Sequence, residues 1–147
     1  MIILDTNVVS EPLKLVPEAA VVRWLNAQAP HTLYLTSVSL AELLSGIATL
    51  PNGRRRDALK LALHAQMLPL FEGRVLPFDT VAAQAFADVN ARATAAGNPI
   101  SFADCAIAAI ASAHGFMVAT RNTRDFRDSG IEIVNPWMAE DSNEIAL

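Results

Sequence analysis

The 147-residue chain has one cysteine, Cys105, so it cannot close a disulfide within itself. That composition fits a reducing compartment, and a cytoplasmic protein is expected. Histidine is scarce as well: His31 falls in a loop, His64 on an amphipathic helix and His114 at a helix end, and none pairs with Cys105 in a zinc-ligand spacing. Positive charge is short, with 11 Lys and Arg against 15 Asp and Glu and a formal net charge of −4. Bulk electrostatics therefore do not draw the chain to a polyanion, and any contact with nucleic acid must run through local basic patches or metal ions. No apolar run reaches the ~18 residues of a transmembrane helix. The start, M-I-I-L-D, lacks the basic opening of a signal peptide. Repeats, low-complexity segments and linkers are absent too. Hydrophobic residues, by contrast, make up 52% of the chain and charged residues only 18%. Against average usage, this predicts one compact domain with several buried elements.

Apolar periodicity alternates between strand and helix. Strands are predicted at 2–5, 33–36, 75–78, 117–120 and 131–134. Helices are predicted at 17–28, with Pro17 in the first turn, and at 37–50, 54–71, 81–96 and 101–114. P-N-G at 51–53 separates two of them, and Gly97 and Gly115 follow two others as C-cap signals. The fold class is thus α/β, with a mostly parallel sheet of four to five strands flanked by helices. A domain over 1–138 is expected, followed by an acidic, frayed tail at 139–147. Ligands of such sheets bind at the carboxyl ends of the strands.

Four acids fall at or near those ends. Asp5 closes the first strand in I-I-L-D-T-N, and Glu42 lies on the helix after the second. Asp104 interrupts the apolar stretch P-I-S-F-A-D-C-A-I-A-A-I, and Asp125 follows the fourth strand in A-T-R-N-T-R-D-F. Each has a structural alternative. Asp5 suits a helix cap, Ser39-x-x-Glu42 and Ser101-x-x-Asp104 have capping-box spacing, and Asp125 balances Arg121, Arg124 and Arg127. Gathered at one edge, however, ionised carboxylates repel unless one takes up a proton or a cation neutralises them. Hard oxygen donors without Cys or His favour Mg²⁺ or Mn²⁺ over Zn²⁺. Cys105 sits in a helix that is apolar all round and reads as core packing.

L-D-T-N at the N-terminus, the A-E-L around Glu42, D-C-A-I-A-A from Asp104 and A-T-R-N-T-R-D-F resemble the motifs of the PIN-domain family, and within it the VapC-type toxins and FitB-like members. F-x-G-R-V-L-P-F-D at 71–79 and N-P-W at 135–137 extend the resemblance over nearly the whole chain. It implies a Mg²⁺- or Mn²⁺-dependent endoribonuclease that hydrolyses RNA with a metal-activated water and is inhibited by a VapB- or FitA-like antitoxin. It also implies operator DNA as an indirect partner through the antitoxin, and a homodimer. By position, Asp5 and Asp104 would bind the principal metal directly. Glu42 and Asp125 would act through water or a second ion, since some relatives carry an acid where this chain has Asn122. Thr6, Asn7, Thr120 and Asn122 are expected to orient ligands or phosphate, and Arg121 and Arg124 to meet RNA phosphates. Arg54, Arg55 and Arg56 open a helix at its unfavourable end for positive charge and hint at a partner contact. Two rival readings remain at this point. One is a co-repressor that mainly tightens antitoxin on operator DNA. The other is a phosphotransferase with a nucleophilic strand-end Asp; it needs a second acid two residues on, where Asn7 stands.

Overall fold

In the computed structural model, residues 1–139 are described, so nearly all of the predicted acidic tail lies outside the described residues. Five short strands form one sheet: β1 (Ile2–Leu4), β2 (Leu33–Thr36), β3 (Val75–Leu76), β4 (Met117–Ala119) and β5 (Ile133–Val134). Their order is β3-β2-β1-β4-β5, and every neighbouring pair is parallel. β1 lies at the centre, where the chain crosses from one half of the sheet to the other. Strand-end residues of both halves therefore surround Asp5.

Alternation along the strands divides the core in two. Ile3 and Val118 point into a cluster with Val89, Ile107, Ile110 and Phe126, on the side of helices α5 (Thr80–Ala95) and α6 (Phe102–His114). Leu4 and Ala119 point the other way, onto Val8, Val21, Leu35, Leu43, Leu63 and Phe71. That second side is covered by α1 (Thr6–Ser10), α2 (Ala19–Ala27), α3 (Ser37–Ala48) and the turns over 62–71 that follow α4 (Arg54–Leu61). A seventh helix, α7 (Thr123–Phe126), is one turn long. Every residue of α6 from Cys105 to Ala111 is buried. Its alanines let α5 approach closely, and Gly115 ends it in the left-handed conformation at φ 69°. Cys105 is fully buried, as a core residue should be.

Several boundaries differ from those predicted. α1 escapes the periodicity because it is a single turn, capped by Asp5. α2 starts two residues after Pro17, with Glu18 at its N-cap, so the proline precedes the helix instead of opening it. The helix predicted over 54–71 is interrupted: α4 passes into a π-helical turn, Ala62–Met67, and then a 3-10 turn, Leu68–Phe71. Pro69 supplies the reason, since it has no N–H to continue an α-helical ladder. Among the described residues no helix is long and apolar enough to cross a membrane.

If α6 is the element that fixes the acid edge, its core contacts should dominate stability. Ile107→Ala, at a fully buried position, is expected to cost about 3 kcal/mol, measured by urea denaturation followed by circular dichroism.

Candidate metal and nucleic-acid site

Asp5 is the hub of the carboxyl edge. Its backbone N–H donates to the Ala119 carbonyl at 2.9 Å, extending the β1–β4 pairing by one residue beyond the strand. Its side chain is 4% exposed. Oδ1 accepts the Thr6 N–H at 2.8 Å, which caps α1. Oδ2 accepts the Thr120 hydroxyl at 2.8 Å and the Asn7 amide at 3.3 Å. The capping reading is therefore correct and incomplete: one oxygen caps, and the other anchors a network. Burial raises the Asp5 pKa, the hydrogen bonds from Thr120, Thr6 and Asn7 pull it down, and the charge of Glu42 pushes it up again; burial prevails.

Thr120 and Asn7 tie the network to the segment after β4. The fully buried Thr120 hydroxyl donates to Asp5 and accepts the Asn122 N–H at 2.9 Å. Asn7 donates to Asp5, and its Oδ1 accepts the Arg121 N–H at 3.3 Å. Thr6 donates its hydroxyl to Glu42 Oε1 at 2.8 Å. Of the four expected supporting residues, Thr6, Asn7 and Thr120 thus contact the acids through side chains. Asn122 joins only through its backbone, and its side chain does not cap α7.

Glu42 rides on α3, exposed. The capping-box reading of Ser39 and Glu42 does not hold: the N-cap is Thr36, whose hydroxyl accepts the Ser39 N–H at 3.0 Å, and Ser39 is buried inside the helix. On α6, Ser101 is the N-cap and accepts the Asp104 N–H at 3.2 Å. Asp125 stands in the first turn of α7, exposed.

The electrostatics of Asp104 show that these acids share one neighbourhood. Its pKa is pushed up to about 6, by partial burial first, then by the charge of Asp5, with Asp125 and Glu42 adding; only the Ser101 hydroxyl opposes. All four sequence-predicted acids are thus brought together. No three His, Cys, Asp or Glu side chains among the described residues close into a compact metal cage by themselves. The donor set is oxygen only, half-buried and mutually repelling, which fits a hard divalent cation.

Arg121 extends its guanidinium over the Trp137 ring, 5.1 Å from the centroid. Arg124 is exposed on α7, and Arg127 pairs with Asp128 at 3.8 Å. Arg54, Arg55 and Arg56 open α4, where Arg56 bonds Asn52. One acid went unnoticed in the sequence. Glu11 is 3% exposed, pairs with Lys14 at 2.7 Å and accepts the Glu18 N–H at 3.0 Å. Lys14 leads in lowering its pKa, and the nearby charge of Arg121 contributes. The available signal was an acid directly before a proline, with a lysine three residues on.

The raised Asp104 pKa carries a sign. The folded state holds its proton up to about pH 6, the unfolded state only to about pH 4. Stability from this group is therefore highest at low pH and is lost as pH rises through that window. In metal-free protein, Asp104→Asn should stabilise the fold at pH 7 by about 1 kcal/mol, the shift being discounted for solvent screening of a half-exposed carboxyl. The gain should vanish near pH 3.5; urea denaturation in chelator at the two pH values checks this.

Comparison with known proteins agrees with this geometry. The PIN domain family matches residues 2–131. The chain is 50% identical to the VapC ribonuclease Y4jK of Sinorhizobium fredii over 137 residues, covering 93% of this chain and 98% of that protein. Among solved structures it is similar to FitAcB from Neisseria gonorrhoeae, with a TM-score of 0.91, 42% identity and coverage of 95% and 100% of the two chains. FitAB bound to an IR36 DNA fragment gives a TM-score of 0.92, 41% identity and coverage of 97% and 99%. With a family match over most of its length and relatives that align end to end, the chain belongs to the PIN-domain family.

Proposed function

We propose that this protein is the toxin of a type II toxin–antitoxin pair, a Mg²⁺- or Mn²⁺-dependent endoribonuclease held inactive by a VapB- or FitA-like antitoxin. The single observation that carries this reading is the clustering of Asp5, Glu42, Asp104 and Asp125 at one sheet edge, where the charges of the other three add to the effect of burial on the Asp104 carboxyl. The likeness to a protein named VapC ribonuclease supports RNA as the substrate. Likeness to FitAB bound to DNA supports an antitoxin partner that carries the complex to operator DNA.

Asp5 and Asp104 would hold the ion, with Glu42 and Asp125 acting through water or on a second ion. When bound, the ion supplies an acidified water and stabilises charge on the scissile phosphate. The chain's own residues do the rest. Thr120, Asn7 and the Thr6 N–H fix the Asp5 carboxylate and oppose part of the upward push that burial gives its pKa. Thr6 fixes Glu42. Ser101 pins the first turn of α6, and the buried remainder of that helix keeps Asp104 from retreating as substrate arrives. No histidine is needed as a base, since the acids themselves can accept a proton.

Purified, antitoxin-free protein should cleave RNA in Mg²⁺ or Mn²⁺ and stop on chelation. Asp5→Asn and Asp104→Asn should each lower the rate at least 100-fold with the fold intact by circular dichroism. Wild-type rates in either variant would refute the mechanism, and inactive wild-type protein that still sharpens antitoxin binding to operator DNA would favour the co-repressor reading.

A further inference from the structure

The motif N-P-W at 135–137 has no part in the chemistry above, yet it follows β5 at the same edge of the sheet. β5 ends at Val134, and the Val134 carbonyl accepts the Thr120 N–H at 2.9 Å, so the two chain ends leave the sheet side by side. Asn135 then turns the chain. Its side chain accepts the Trp137 N–H at 3.0 Å, and its carbonyl accepts the Met138 N–H at 3.0 Å. Pro136 occupies the second position of that turn, where its fixed φ is favourable. The turn swings the Trp137 ring back against the edge of the core, under Arg121.

Arg121 is fixed by two contacts, one to its side chain and one to its backbone. Its guanidinium lies 5.1 Å from the Trp137 ring centroid. Its backbone N–H is bound by Asn7, whose amide in turn binds Asp5. The buried Glu11 pairs with Lys14 and feels the charge of Arg121 more weakly. An exposed arginine normally samples many rotamers. This one is stacked on a ring, and its backbone lies two hydrogen bonds from Asp5, in a protein whose net charge would repel RNA.

We propose that Trp137 is a positioning residue that holds the Arg121 guanidinium, on the segment directly after Thr120, to receive an RNA phosphate next to the one being cleaved. The proposal rests on the nuclease reading and adds to it a job for the C-terminal turn. An aromatic face orients a guanidinium without neutralising it, so its N–H groups stay free for phosphate oxygens. A carboxylate partner alone would fix the arginine and also consume its donors.

The test is steady-state cleavage of a short single-stranded RNA in Mg²⁺ by wild type, Arg121→Ala, Trp137→Ala, Trp137→Phe and the double alanine variant, at several salt concentrations. Arg121→Ala should raise KM about tenfold and lower the slope of log(1/KM) against log salt by about 0.7, one phosphate contact on a single strand. Trp137→Ala should raise KM three- to fivefold with kcat within twofold, and Trp137→Phe should restore most of the loss. The double variant should match Arg121→Ala alone, because Trp137 acts through the arginine. Additive losses in the double variant, or a Trp137→Ala salt dependence and KM equal to wild type, would overturn the proposal while leaving the nuclease reading intact. Wild-type protein that cleaves no RNA would overturn both. Circular dichroism and thermal melts identify a fall in activity that reflects unfolding; if Trp137→Ala unfolds, the Trp137→Phe and Trp137→Leu pair decides, with only phenylalanine expected to keep the wild-type KM.

Discussion

Repulsion among carboxylates is the constraint that the rest of the molecule is built around. Asp5 is almost fully buried and Asp104 half so, and Glu42 and Asp125 add their charge from the rim. Such an arrangement is costly in a bare fold. It persists because each acid is tied to a rigid element. Asp5 closes the central strand and caps α1, and Asp104 stands in the first turn of a helix whose next seven residues are buried. Rigid placement converts a destabilising charge cluster into a site prepared for a cation, at some expense to stability in its absence.

The crossing at β1 explains why the acids meet. In the order β3-β2-β1-β4-β5, chain segments far apart in sequence return to the same edge beside the central strand. Asp5 and Thr120 are 115 residues apart and share a 2.8 Å hydrogen bond. Thr6 and Glu42 are 36 apart and do the same. The hydroxyls and amides that surround Asp5 oppose part of the cost of its burial and hold its carboxyl group in place. Arg121, on the segment that follows Thr120, adds a cation oriented by the Trp137 ring.

Much of this was legible in the sequence, for reasons that differ by residue. Strand positions and the α6 helix are strongly patterned, so Asp5 and Asp104 could be placed at element ends directly. Glu42 and Asp125 could be grouped with them by the parallel-sheet argument. Local signals failed where tertiary context decides. Thr36, buried at the strand end, took the N-cap that Ser39 was expected to share with Glu42. The single turn of α1 is too short for a period, and Pro69 broke the long helix into π and 3-10 turns. Glu11 and the Arg121–Trp137 pair were invisible as a unit because their contacts join three separate segments.

The central claim is that the acid edge binds a divalent cation. Isothermal titration of Mn²⁺ into antitoxin-free protein at pH 7 tests it most directly, with Asp104→Asn titrated beside it. The account predicts saturable binding to the wild-type protein that is lost, or weakened at least tenfold, in the variant. No binding to the wild type, or equal binding to both, would contradict it.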